Sequence, residues 1–387
     1  METFLLTLAR FRALAPSMDM WVALTSDGRI AAELRSAGVP VTILGEARIS
    51  RPLAVRRARR ALASLLSTDR PDVVVCHQAW PLALFGPVVT RRSIALVLWM
   101  HMAASRRWLD RIAWRVRPGT VVCNSRFTAS TLPKTRARIE LVYAPVDVGA
   151  SDAVRLKPDP ASGSGFDLRR VRLQADRRPL VIVQVSRMEP LKGHRVLLDA
   201  LGRLRDHSGW TCRLAGGAQR PHEARYMASL RTQAAALGIA DRVEFLGDRS
   251  DVPSLLASAD IYCQPNIKPD AFGLSVIEAM VAGLPVVTSS IGGAKEIVDE
   301  TCGVLVAPRD AAALASQLSA LLDNRAHRER LGSHGPERAR GLCDPAVQMP
   351  RIAAILQRAA DERSGAGHAG PASGARCRGG EAPGAQE

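Results

Sequence analysis

Two segments in the second half of the chain place charge at the ends of apolar runs. The first reads Asp270-Ala-Phe272-Gly273-Leu274-Ser-Val-Ile-Glu278-Ala-Met-Val-Ala-Gly283-Leu-Pro285, two carboxylates separated by seven residues. A helix is expected to open at Gly273, which leaves the amides around Phe272, Gly273 and Leu274 without intrahelical acceptors. Such amides, backed by the helix dipole, suit a diphosphate. Glu278 lies about one turn deeper and can accept hydrogen bonds from a ligand's hydroxyls, while Asp270 sits in the loop ahead of the helix. Either acid alone also fits a plain structural role. The second segment reads Val185-Ser-Arg187-Met-Glu-Pro-Leu-Lys192-Gly193-His194. Arg187 and Lys192 follow an apolar run expected to be a parallel strand, and two cations at a strand's carboxyl end can neutralise a diphosphate. Solvated loop cations are the alternative.

In the first half, Leu96-Val-Leu-Trp99-Met-His101 sets a histidine just past another apolar run. A histidine there can hydrogen-bond a hydroxyl or a reacting centre, or simply be structural. His77 follows a strand as well and could line an acceptor cleft. The remaining histidines, 194, 207, 222, 327, 334 and 368, show no metal-ligand spacing. No metal and no cofactor are expected. No Gly-x-Gly-x-x-Gly follows a strand, which argues against a nicotinamide-dependent dehydrogenase.

The elements that carry these residues alternate in βαβ fashion, so an α/β protein with parallel sheets is expected. Strand candidates in the first half are 20–24, 39–44, 72–76, 94–100, 120–123 and 139–142, with an amphipathic helix over 53–66. A Ser-, Gly-, Pro- and charge-rich stretch interrupts the pattern. The alternation then resumes with strands at 180–185, 211–214, 243–246, 261–264 and 285–288, separated by helices at 193–204, 223–237, 252–257 and 274–282. Helices are expected to dominate from there to about residue 362. The domain reading is 1–148 for a first Rossmann-like domain, 149–178 for a linker and 179–342 for a second Rossmann-like domain. A C-terminal helix over 343–362 is expected to pack back on the first domain, ahead of a disordered tail at 363–387. The first domain opens directly on an amphipathic helix, Glu2-Thr-Phe-Leu-Leu-Thr-Leu-Ala. A first strand and its Gly-rich turn, about 10–20 residues, are expected to be missing ahead of it.

The chain carries a net charge of +16, and residues 1–147 hold 22 Lys and Arg against 10 Asp and Glu. That imbalance suggests an anionic membrane surface or a phosphorylated acceptor, with a general preference for Arg as the bland alternative. Arg56-Arg57-Ala-Arg59-Arg60, and the stretch from Arg106 to Arg117 with Trp108 and Trp114, are the segments that could rest on lipid. Nucleic acid is not expected as a partner. Seven scattered cysteines without a CxxC pair favour reduced thiols in a cytoplasmic protein. The longest apolar run falls far short of the roughly 20 residues that span a bilayer.

Together the two charged segments resemble the family-4 glycosyltransferases of the GT-B fold. The likeness extends through Gly216-Gly217, Val243-Glu-Phe-Leu-Gly247, Ala259-Asp260, Gly292-Gly293, Glu296-Ile-Val and Gly303-x-Leu-Val. It covers residues 1–360, most closely after 180. It implies a retaining transferase that moves a sugar from a nucleotide-diphosphate donor to a saccharide or lipid-linked acceptor, in cell-surface polysaccharide or glycolipid assembly. By the resemblance, Arg187 and Lys192 bind the donor diphosphate, Glu278 the ribose, and Phe245, Leu246 and Gly247 lie beside the base. His101 then stands against the donor sugar. Asp270 replaces the family's usual Glu, a carboxylate shorter by one methylene. The resemblance implies no bound metal, and the sequence holds no Asp-x-Asp motif. A sugar-nucleotide epimerase on the same fold, or a truncated non-catalytic nucleotide-sugar-binding protein, are the competing readings.

Overall fold

The computed structural model describes residues 2–105, 108–149, 178–218 and 220–366. The expected linker therefore lies almost wholly outside the described residues, as do Arg106, Arg107 and the last 21 residues of the tail.

The first lobe runs α1 (Glu2–Arg10), β1 (Val22–Leu24), α2 (Arg29–Ser36), β2 (Val41–Ile43), α3 (Pro52–Thr68), β3 (Val73–His77) and α4 (Ala79–Thr90). It continues with β4 (Ala95–Met100), α5 (Trp108–Trp114), β5 (Thr120–Cys123), α6 (Arg126–Ser130) and β6 (Arg138–Leu141). β4 reads Ala-Leu-Val-Leu-Trp-Met and is buried at every position, the signature of a parallel strand covered on both faces. Leu96, Leu98 and Met100 face α3 and α4, whose stripe of Val55, Ala58, Leu62 and Leu66 follows the helical period. Val97 and Trp99 face the opposite cluster with Phe4 and Leu8 of α1. β3 to β6 form one parallel sheet, and β1 pairs only with β2. Among the described residues no strand joins the two sheets.

The second lobe contains β7 (Leu180–Val185), α7 (His194–Arg203), β8 (Trp210–Ala215), α8 (Pro221–Ala236), β9 (Val243–Gly247), α9 (Val252–Ala257) and β10 (Ile261–Gln264). It continues with α10 (Leu274–Val281), β11 (Val286–Ser289), α11 (Ala294–Ile297), β12 (Gly303–Val306), α12 (Ala311–Asp323) and α13 (Arg325–Cys343), and α14 (Pro345–Ala366) follows. Its six strands are all parallel, in the order β12-β11-β10-β7-β8-β9. This is a doubly wound sheet whose central strand, β7, has β8 on one side and β10 on the other. The order reverses between β7 and β10, and there the loops leave the sheet on opposite faces and open a crevice.

Two sequence expectations need correction. β12 is a further strand within a stretch expected to be dominated by helices; it occupies the sheet edge and its two middle residues are only partly buried, so it lacks the fully buried run of β10 and β11. α14 runs on to Ala366, past the expected end at 362. α14 packs on β3 and β4 of the first lobe, where Met349, Ile352 and Ile355 join the Trp99 cluster. Ion pairs Arg138–Glu362 and Arg358–Glu140 (3.1 Å) fix it to β6. Six cysteines are buried with free thiols, and Cys377 lies outside the described residues.

Candidate active site

The crevice of the second lobe is built from loops that close tightly on each other. Gly193, at φ +77°, ends the Lys192 turn so near the exit of β10 that an added Cβ would lie 1.7 Å from the Pro265 carbonyl oxygen. Gly216 meets the loop after β7 as closely, 1.8 Å from the Ser186 oxygen. Only glycine permits either approach. Beneath them Gln184, fully buried, donates from Nε2 to the Lys192 carbonyl (2.9 Å) and to Ser186 Oγ (3.0 Å). The turn that presents Lys192 is thereby anchored to the central strand.

Lys192 Nζ reaches Asp270 Oδ2 at 2.5 Å, so the cation after β7 and the first acid of the motif after β10 meet at the switch point. Asp270 Oδ1 accepts the amide of Ala271 at 2.9 Å, which shapes the loop leading to the helix. α10 starts behind Gly273 as expected, with Gly273 at φ +113° and Phe272 buried. The hydroxyl of Tyr262 lies 2.8 Å from Gln264 Oε1 and 2.9 Å from Ser275 Oγ, which braces the first turn from below. Arg187 is at the rim, 58% exposed and paired with Glu189 at 2.6 Å.

Glu278 is in the interior of the same helix. Burial pushes its carboxyl up to about 7, because the charged form loses hydration and no side chain or amide among the described residues hydrogen-bonds it. A ligand offering hydroxyls would supply that stabilisation. Farther along the sheet, Gly247 accepts the Gly216 amide at 2.7 Å. Strand alternation turns Phe245 toward α8, where the Arg231 guanidinium lies 4.5 Å from its ring centre, and Leu246 toward the opposite face.

In the first lobe His101 follows β4, and its Nε2 lies 2.8 Å from Nδ1 of His77 at the end of β3. The two rings are stacked, and Phe4 meets His101 edge-on at 4.9 Å. Burial lowers His77 to about 4 and His101 to about 2, the latter helped by the neighbouring His77 ring. Both imidazoles are neutral at physiological pH. His101 thus offers hydrogen bonds but no positive charge, and its Nδ1 is the nitrogen left for a ligand.

The lobes touch where Phe272, at the expected helix opening, comes together with two residues the sequence did not single out as site residues, Tyr143 and Glu296. Tyr143 stacks on Phe272, with ring centres 5.5 Å apart, and its hydroxyl bonds Glu296. These partners are separated by more than a hundred positions in the chain, and no local spacing marks them. Asp147, in the loop that follows β6, pairs with Arg10 of α1 at 2.7 Å. Among the described residues no three His, Cys, Asp or Glu side chains gather as metal ligands would.

Residues 166–338 match the family described as Glycosyl transferases group 1, and residues 2–149 match Glycosyltransferase Family 4. The chain belongs to the family-4 glycosyltransferases. This family-4 chain is 41% identical over 155 residues to phosphatidyl-myo-inositol mannosyltransferase of Mycobacterium leprae, a match spanning 39% of each protein. It is 29% identical over 295 residues to the GDP-mannose-dependent alpha-(1-6)-phosphatidylinositol monomannoside mannosyltransferase of Mycobacterium tuberculosis (H37Rv), across 70% of this chain and 72% of that one. With D-inositol 3-phosphate glycosyltransferase of Salinispora tropica the match is 35% and spans 43% of the relative. The chain thus spans about two fifths of the M. leprae and S. tropica relatives. Anabaena Alr3699/HepE, solved in complex with UDP, superposes with a TM-score of 0.77 over 92% of this chain and 96% of its own, at 23% identity. A glycosyltransferase from Rickettsia africae also gives 0.77, over 92% and 94%, at 19% identity. These likenesses establish the two-lobed GT-B fold.

Proposed function

We propose that this chain transfers a sugar from a nucleoside-diphosphate sugar to an acceptor hydroxyl with retention of configuration. The observation that carries the reading is the Lys192–Asp270 contact beside the opening of α10, a cation and free amides at one switch point. In this mechanism the bond between C1 and the diphosphate oxygen breaks while charge develops on the leaving phosphate. Lys192, Arg187 and the amides of Phe272, Gly273 and Leu274 stabilise that charge, each such contact contributing about 2–4 kcal/mol in the transition state. Asp270 orients the Lys192 ammonium and the donor sugar. Glu278 accepts the ribose hydroxyls, with Phe245, Leu246 and Gly247 along the base. Neutral His101 hydrogen-bonds the sugar from the other lobe. The acceptor oxygen forms the new bond to C1 on the face the phosphate leaves, and its proton passes to the departing phosphate oxygen. No protein nucleophile is required.

Named activities of the relatives support a mannosyl donor and an inositol-containing glycolipid acceptor. An anionic membrane surface suits the first lobe, where Leu53 (70% exposed) and Trp108 (57%) stand among Arg56, Arg57 and Arg111. No described helix is long and apolar enough to cross a membrane. The decisive experiment incubates the protein with GDP-mannose or UDP-glucose and phosphatidylinositol vesicles, then assigns the product anomer by NMR. An α-linked product from the α-linked donor, lost in Lys192→Ala, is expected. A β-linked product, or full transfer by Lys192→Ala, overturns the reading.

A further inference from the structure

Glu296 carries three hydrogen bonds from one lobe to the other. Its Oε2 accepts the amide of Arg126 at 2.8 Å and the Tyr143 hydroxyl at 3.1 Å, and its Oε1 accepts the amide of Phe127 at 2.8 Å. All three donors belong to the first lobe, whereas Glu296 lies on α11 of the second. Bonds to a carboxylate are about twice as strong as neutral ones, and here three converge on one group.

Both ends of this bridge are held by their own lobe. On the second lobe, Arg338 of α13 donates to the carbonyls of Glu296 (2.9 Å) and Ile297 (3.2 Å) and pairs with Asp299 (3.3 Å), so α11 cannot swing independently. On the first lobe, the amides of Arg126 and Phe127 open α6, and Ser125 caps that helix. A cavity of about 490 Å3 lies alongside, lined in part by Arg126, Phe127, Pro269, Lys295 and Glu296. At this edge the polar bonds to Glu296 sit beside the apolar contact that joins the lobes, in which Tyr143 packs on Phe272.

Tyr143 links the bridge to the chemistry. Its ring stacks on Phe272, the residue just before the opening of α10, while its hydroxyl holds Glu296. Burial, then the neighbouring Glu296 charge, raises that hydroxyl above the usual phenol value, which keeps it protonated and donating.

We propose that Glu296 is a positioning residue, a latch that acts through Tyr143 to make ordering of the Phe272–Gly273 loop depend on closure of the two lobes. The inference rests on the nucleotide-sugar reading given above. With the latch made, Tyr143 is held over Phe272 and the amides of the loop are fixed for the leaving phosphate. With it broken, the second lobe still offers its nucleotide site, but the loop loses its cover from the first lobe. Nucleotide binding and turnover then respond differently to the same substitution.

The test compares Glu296→Gln, Tyr143→Phe and Tyr143→Ala with the wild-type chain. Glu296→Gln preserves shape but removes the charge. Small-angle X-ray scattering with and without GDP or UDP reads lobe closure, calorimetry reads nucleotide affinity, and steady-state kinetics separate kcat from KM. Glu296→Gln is expected to fail to compact, to bind nucleotide within about threefold of wild type, and to lose about 10- to 100-fold in kcat. Tyr143→Phe, which keeps the stack, should fall between wild type and Tyr143→Ala. Wild-type compaction in Glu296→Gln overturns the proposal, and so does a nucleotide affinity that falls in step with kcat, since Glu296 would then only support the donor loop. If the wild-type chain transfers no sugar, the functional reading fails, and the scattering comparison alone still decides whether Glu296 latches the lobes.

Discussion

Lys192 and Asp270 meet at 2.5 Å, although one follows β7 and the other follows β10. The pair is half-buried and joins the two loops that diverge at the switch point. Removing either partner therefore does more than delete one contact. In the proposed mechanism, loss of Lys192 takes a cation from the leaving phosphate and leaves Asp270 without its ion-pair partner. Lys192→Ala is expected to lower kcat by about 100-fold or more. Asp270→Asn removes the charge but retains a hydrogen-bonding group, and should lower kcat less while leaving nucleotide affinity intact. Initial-rate measurements over donor concentration check both; a larger loss in Asp270→Asn than in Lys192→Ala would contradict this division of roles.

Glu278 links the site to pH. Its folded carboxyl titrates at about 7, against 4.5 for an ordinary glutamate. Between these values the native state binds more protons than the unfolded chain, so this group makes stability fall as pH rises. The penalty is absent below pH 4.5, grows up to pH 7 and is then constant at roughly 3 kcal/mol. Glu278→Gln should remove it, making the variant increasingly more stable than wild type from pH 5 to 7 in denaturant titrations, with a constant difference above that. The same variant should bind nucleotide more weakly if, as proposed, the carboxylate accepts the ribose hydroxyls. Parallel stability curves for the two proteins would show that Glu278 is not raised.

Much of this arrangement was legible in the sequence. The apolar runs of β4, β5, β7 and β10 announce themselves because a buried parallel strand needs an unbroken hydrophobic segment. The helix opening at Gly273 and the Lys192-Gly193 turn were visible because glycine and charge punctuate those runs. β12 was not, since an edge strand paired on one side needs no unbroken buried run, and its two middle residues are only partly buried. The bond between Glu296 and Tyr143 was invisible for another reason: it depends on how two lobes meet, which local spacing does not encode. His77 was readable as a strand-end histidine, but its bond to His101 joins two strands that become neighbours only in the folded sheet.

The His77–His101 pair should make the protein acid-sensitive. Both rings have folded values, about 4 and about 2, below the ordinary 6.5. As pH falls below 6.5 the unfolded chain takes up protons that the native state refuses, so stability rises with pH through this window and is lost on acidification. Replacing His77 with Phe keeps an aromatic ring in the stack and removes one of these protons. The pH slope of stability between 4 and 6.5 should become shallower by about 1.4 kcal/mol per pH unit. Denaturant midpoints of the two proteins across that range measure the difference, and an unchanged slope would mean that His77 titrates normally.

Gly193 offers a test of the site's construction that does not depend on its chemistry. The residue sits at φ +77°, and its missing side chain leaves room for the Pro265 carbonyl, 1.7 Å from where a Cβ would be. An alanine there must adopt a left-handed backbone and also force the loops after β7 and β10 apart. The backbone term costs about 1 kcal/mol and the displacement about 1–3 kcal/mol more. Gly193→Ala should therefore lower the melting temperature by several degrees. Because the displaced loops carry Lys192 and Asp270, it should also weaken their ion pair and reduce kcat. Gly238 is the useful comparison: it too has a left-handed backbone, at φ +69°, but nothing lies within 4 Å of its Cβ position. Gly238→Ala should show the backbone cost alone, with kcat unchanged. Equal melting temperatures for the two variants would mean that the loops can separate freely, and that the close seating of the Lys192 turn on Pro265 is not what positions the pair.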